Sequence, residues 1–237
     1  MPCTGLRYHQ SAIRGGLAIL AEHSGDEIDM ETPAFDLLRM GLAKFGTVLA
    51  DPPWRFMNRT GKMAPEHERL KRYHTMSVEE IAELPVAQLA LPESHLYLWV
   101  PNALVQEGLE VLHRWGFTYK TNIIWYKVRK DGGPDGRGVG FYFRNVTEMI
   151  LFGTRGKLRT LPPGRRQVNI ITARKREHSR KPDELYEIIE QCSPGPRIEL
   201  FARHARPGWH QWGDEAPASR ATRQDRLAGC DWDPKAP

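Results

Sequence analysis

Apolar and polar positions along the chain alternate between two periods. Short apolar runs at Thr47–Ala50, His95–Val100, Thr121–Tyr126, Val146–Phe152, Val168–Ile171 and Arg197–Phe201 read as strands. Between them lie stretches with helical spacing. Ser77 and Glu80 form a capping box that opens a short helix to about Leu84. Asn102–Trp115 carries Leu104, Val105, Leu109, Val111 and Leu112 and stops at Gly116, a C-terminal glycine signal. Pro182 opens a helix at its favoured first position, with Leu185, Ile188 and Ile189 on one face. Strands alternating with helices predict an α/β fold, a mostly parallel sheet with helices on both faces. Residues 1–44 are weakly patterned and read as an N-terminal extension with one helix near Pro33–Leu42. Residues 55–74 and 128–140 read as two long loops, and 216–237 as a poorly ordered tail. No internal repeat is present.

The chemistry concentrates where the first strand ends, at Asp51-Pro52-Pro53-Trp54. Each proline locks its own φ and lacks an N–H, and Pro52 restricts Asp51 to extended backbone. The turn is expected to be stiff, with free carbonyls, a carboxylate and an indole face. The two hydrogens of an exocyclic base amine can go to the Asp51 carboxylate and the Pro52 carbonyl, with Trp54 stacked on the ring. Holding both hydrogens bends the nitrogen towards sp³ and aims its lone pair at an electrophilic methyl group. The plain alternative is a proline-rich turn after a core strand, with Asp51 as a cap.

The tetrapeptide resembles the signature of the MT-A70 family of adenine methyltransferases. Later blocks agree in order: Tyr73-His74-Thr75-Met76-Ser77, His95 to Val100, Ile123 to Lys127, Lys181-Pro182-Asp183-Glu184, and Ile198 to Arg203 followed by Trp209 and Gly213. The resemblance covers residues 45–215, which gives the domain. It implies a Rossmann-like class I methyltransferase fold with permuted motifs, the catalytic turn preceding the cofactor strand, and S-adenosylmethionine as cofactor. Ligands in such sheets bind outside the carboxyl ends of strands. This puts Asp51 beside the cofactor too, with Glu199 and Phe201 at the later strand end. The resemblance assigns Lys181 to the methionine carboxylate. It assigns Arg203, His204 and the Gly213-Asp214-Glu215 corner to the ribose and adenine. The family often has asparagine and glutamine where this chain has Asp214 and Glu215, which accept but cannot donate. No GxGxxG is present, so a nicotinamide cofactor is not expected.

Charge adds a partner. The net charge is +5, and ten cations stand between Arg155 and Lys181 against one acid, Glu177. Such a run is either a solvated face or a phosphate contact. Arg165 and Arg166, with Arg55, Asn58, Arg59, Lys62, Arg72, Tyr73 and His74 of the first loop, are the candidate substrate contacts. In a duplex the target base would have to flip out. The expected reaction is methylation of adenine N6 in DNA. The alternatives are the same reaction on RNA and a catalytically silent nucleic-acid-binding subunit. The three cysteines have no metal or redox spacing, so no metal is expected, and Cys192 reads as a small core residue. No apolar run reaches the ~18 residues of a membrane span, and a cytoplasmic location is expected.

Overall fold

The computed structural model describes residues 32–55, 75–136, 142–162, 164–176 and 180–213. The expectations for the 1–31 segment, most of the first loop and the 216–237 tail lie outside them. The elements are α1 (Pro33–Leu38), β1 (Phe45–Ala50), α2 (Val78–Ala82), α3 (Val86–Leu89), β2 (Ala90–Val100), α4 (Val105–Arg114), β3 (Thr118–Val128), β4 (Thr147–Arg155), β5 (Ile170–Arg174), α5 (Glu184–Cys192), β6 (Arg197–Leu200) and β7 (Trp209–Trp212).

The strands form one sheet in the order β5-β3-β4-β2-β1-β6-β7. Pairing is parallel for β1 with β2 and β6, for β3 with β5, and for β6 with β7. Only β4 runs against its neighbours β2 and β3. A parallel return needs a crossover, usually helical, and the described residues of the Gly- and Pro-containing link between β3 and β4 hold no helix. The sheet is therefore mostly parallel, as in a Rossmann-like methyltransferase fold.

Both faces are covered. Every residue of β1 is buried, as a central strand between two helical layers requires. Val48 and Ala50 join Leu37 and Leu38 of α1, Ile81 of α2, Leu89 of α3 and Val111 and Leu112 of α4 in one core. Leu49 faces the other way, towards Leu185, Ile188 and Ile189 of α5. The predicted caps hold: Ser77 Oγ accepts from Glu80 N–H at 3.2 Å while Glu80 Oε2 accepts from Ser77 N–H at 2.6 Å. Gly116 ends α4 in the left-handed region at φ +80°, where a side chain would be strained.

Several boundaries move. The run read as Val168–Ile171 is a strand over Ile170–Arg174, because pairing with Ile124–Val128 of β3 sets its span. The short β7 has no apolar run and was not predicted; its register with β6 makes it a strand. The helix near Pro33 ends at Leu38. It is packed into the core and tied to β7, Trp212 Nε1 donating to Asp36 Oδ2 at 3.1 Å.

Candidate active site

β1 and β6 run side by side with Ala50 opposite Leu200, so Asp51 emerges next to Phe201 at the carboxyl end of the sheet. The turn is pinned by backbone bonds. Trp54 N–H donates to the Pro52 carbonyl, Met76 N–H to the Pro53 carbonyl and Arg55 N–H to the Met76 carbonyl, each at 2.9 Å. The two carbonyls expected to be free are thus each bonded once. Each keeps a second lone pair.

Trp54 corrects a second expectation. Its ring does not present a stacking face. It is 5% exposed, belongs to the core, and its indole N–H donates to the Trp99 carbonyl at 2.9 Å. A buried indole needs an acceptor, and the end of β2 provides one.

Asp51 continues the alternation that sends Leu49 towards α5, and on that face it meets a chain of charges. Lys181 Nζ lies 3.2 Å from Asp51 Oδ1, 2.8 Å from Glu148 Oε2 and 4.3 Å from the centre of the Trp99 ring. Lys127 Nζ lies 2.6 Å from Glu148 Oε1. Glu148 stands at this level because β4 runs antiparallel to β2 with Met149 opposite Val100. Burial pushes the Asp51 carboxyl above its ordinary value, partly offset by Lys181. Burial also works against the charge on Lys181, but Asp51 and Glu148 outweigh it and hold the ammonium above its usual range. Glu148 likewise resists burial, and Lys181 and Lys127 hold it below its ordinary value. Sequence reading missed Glu148; the available signal was a carboxylate at the head of an otherwise apolar strand.

The cofactor-side candidates assemble beside Asp51. Glu199 is the register partner of Leu49 and sits on the same face. Tyr186 O–H donates to Glu199 Oε1 at 2.8 Å. Burial pushes the Glu199 carboxyl up to about 7, the Tyr186 bond opposing and the charge of Asp51 reinforcing the shift. Phe201 adopts φ +64°, rare for a bulky residue, and leans edge-on against Trp212 with ring centres 5.4 Å apart. The corner is tight: a Cβ at Gly213 would lie 2.9 Å from Phe201 Cα, so only glycine fits. Arg203 is half-buried, and its charge acts to lower the Asp51 carboxyl. His204 is exposed and its carbonyl accepts from the Gln211 side chain. Asp214 and Glu215 lie outside the described residues.

The substrate candidates do not form one surface. Arg55 donates to the Thr75 carbonyl at 2.9 Å and lies 3.4 Å from Glu80, so it closes the base of the first loop. Asn58, Arg59, Lys62, Arg72, Tyr73 and His74 lie outside the described residues. Arg165 and Arg166 are at the wrong end of the sheet for a role beside Asp51. They follow β4, which carries the chain from the Glu148 level down to Arg155, opposite Ser94 at the start of β2. Seven strand residues at ~3.3 Å each separate the two ends by ~23 Å. Their turn packs on Cys192, the last residue of α5, with Leu161 N–H donating to the Cys192 carbonyl at 2.8 Å. The basic run is therefore divided. Arg155 to Arg166 lie at one end, and Arg174, Lys175, Arg176, Arg180 and Lys181 at the other.

The MT-A70 family profile matches residues 45–215. The chain belongs to the MT-A70 family. This is a family of adenine-N6 methyltransferases. The chain is 34% identical over 181 residues to the N(6)-adenosine-methyltransferase catalytic subunit METTL3 of Homo sapiens, covering 73% of this chain and 28% of that protein. It is 34% identical over 183 residues to the N(6)-adenosine-methyltransferase MT-A70-like protein of Drosophila melanogaster, covering 76% of this chain and 28% of that protein. To the type II methyltransferase M.MunI of Mycoplasma it is 29% identical over 197 residues, covering 75% of this chain and 80% of that protein. The chain thus spans under a third of the first two relatives and most of the third.

MT-A70 methyltransferases take their methyl group from S-adenosylmethionine. The donor set of this MT-A70 protein fits that molecule. Lys181 has three N–H donors, of which Asp51 and Glu148 use two. Tyr186 occupies Glu199 Oε1, and the carboxylate's second oxygen is an acceptor for hydroxyls. Among the described residues no helix is long and apolar enough to cross a membrane.

Proposed function

We propose that this MT-A70 protein methylates the exocyclic N6 amine of adenine in DNA. The observation that carries the reading is Asp51, fixed at a strand end by the Leu200 carbonyl behind it and Lys181 beside it. Lys181 holds Oδ1, so Oδ2 is available for one N–H of the target amine. The second lone pair of the Pro52 carbonyl accepts the other. S-adenosylmethionine, when bound, supplies an electrophilic methyl group. The nitrogen would take that methyl as its bond to sulfur breaks and the neutral thioether leaves, and would afterwards lose one proton to water or Asp51, so no strong base is needed. Alignment is the main lever, since well-placed partners reach effective molarities of ~10⁵ M or more. Lys181 keeps one donor for the methionine carboxylate. Glu199 accepts from the ribose hydroxyls, and Phe201, Arg203 and His204 stand on the adenine side; the family resemblance assigns Asp214 and Glu215 to the same ligand. The type II methyltransferase of Mycoplasma supports DNA; the N(6)-adenosine-methyltransferases support RNA as the second reading.

The test offers duplex DNA, single-stranded DNA and RNA side by side, digests the products and identifies the modified nucleoside by mass. N6-methyldeoxyadenosine is expected, and N6-methyladenosine alone moves the protein to the second reading. Asp51→Asn should remove product while calorimetry still detects cofactor binding. More than about a tenth of the wild-type rate in that variant overturns the role of Asp51.

A further inference from the structure

At the end of the sheet away from Asp51, an open cleft of about 570 Å³ is lined by Lys120, Lys157, Arg159 and Arg165, with the Thr121, Thr154 and Thr160 side of the wall between them. No acid lines it. None of the four cations forms an ion pair among the described residues, and Arg165 alone is engaged, through Nε to the Thr160 carbonyl at 3.2 Å. The contrast with the catalytic end is sharp. There Lys127 and Lys181 share Glu148, and Arg176 and Arg180 share Asp183. Four like charges around one concavity repel each other, and an anion bound among them relieves that repulsion. Phe152, 7% exposed, gives the cleft an apolar floor, held by an edge contact with His95 and a tilted one with Tyr97, each at a ring-centre distance of 5.0 Å.

We infer that this cleft is a second phosphate-binding site that grips the sugar–phosphate backbone of a nucleic acid, remote from the reacting base. The inference rests on the proposed nucleic-acid substrate. The ~23 Å along β4 corresponds to about seven nucleotides at ~3.4 Å each, measured straight, and more along the surface. A long substrate can therefore engage the cleft and the Asp51 site together, while a short one engages only one of them at a time.

The experiment uses Lys120→Ala/Lys157→Ala/Arg159→Ala, three exposed positions, leaving Arg165 and its hydrogen bond intact. Binding to a 30-nucleotide duplex and a 6-nucleotide strand is followed by fluorescence anisotropy across salt concentrations, with no need for turnover. Each lost phosphate contact removes roughly 0.9 from the log–log salt slope on duplex DNA. The long duplex should bind more weakly in the triple variant, with a slope flattened by about two to three units. The short strand, which cannot bridge the two sites, should lose less than the long duplex. Lys157→Arg with Arg159→Lys, which keeps the charges, should retain the wild-type slope. An unaltered slope for the long duplex overturns the inference. So does loss of inorganic tripolyphosphate binding with nucleic-acid binding intact, which assigns the cleft to a small anion. Failure of methylation with a flattened slope would reject the proposed reaction and leave the cleft standing.

Discussion

At the scale of single residues, Trp54 and Glu199 mark the two sides of the turn that carries Asp51. Trp54 is a core residue with a bonded indole, so its replacement acts first on the fold. Trp54→Ala should destabilise by roughly 3–5 kcal/mol, the cost of emptying a large aromatic site in a packed core. Chemical denaturation checks this; a loss under 1 kcal/mol with abolished activity would return the ring to base stacking. Glu199 makes a pH prediction. Its folded-state value of about 7 lies above the ~4.3 of an unfolded glutamate. Below pH 4 the carboxyl is protonated in both states and costs nothing. Between those two values the unfolded chain has released its proton while the folded protein keeps it, so stability falls across that interval and levels off above about 7. Glu199→Gln should therefore melt close to wild type near pH 4 and progressively above it from pH 5 to 8. A constant difference across that range refutes the shift.

At the scale of elements, the packing of α4 on β2 turns on Gly108. A Cβ there would lie 2.6 and 2.7 Å from the two methyls of Val100, whose χ1 is stiff. Ala favours a helix over Gly by ~1 kcal/mol, while overpacking costs typically ~1–3 kcal/mol. The second effect should win. Gly108→Ala is expected to lower the melting temperature, and a rise would mean that Val100 yields freely. The consequence reaches the site, because Val100 follows Trp99, whose carbonyl holds Trp54 and whose ring lies under Lys181. Elements with strong local signals were legible in the sequence: the Ser77 capping box, the Gly116 stop and the helix after Pro182. β7 was not, since Trp209–Trp212 has neither alternation nor an apolar run and becomes a strand only by pairing with β6.

At the scale of the whole molecule, chain direction decides which charges meet. The ten cations from Arg155 to Lys181 are continuous in sequence. In space they are parted, because β5 and the segment before it carry the chain from one end of the sheet to the other. Lys157, Arg159 and Arg165 line the cleft, while Lys181 returns to the Asp51 end. Asp51 and Glu199 stand side by side although 148 positions apart in sequence, because β1 and β6 are parallel neighbours in register. What the sequence determined by itself was local: the strand ending in Asp51-Pro52-Pro53-Trp54, the caps, the alternation of strand and helix, and through the spaced blocks the family. Those features depend on neighbours a few residues away. What tertiary structure alone decided was non-local: the reversal of β4 that brings Glu148 to Lys181, the burial of Trp54 beneath the Trp99 carbonyl, and the exile of Arg165 and Arg166 to the far end. Strand direction and register set these, and they follow from which strands pair across the sheet rather than from any window of sequence.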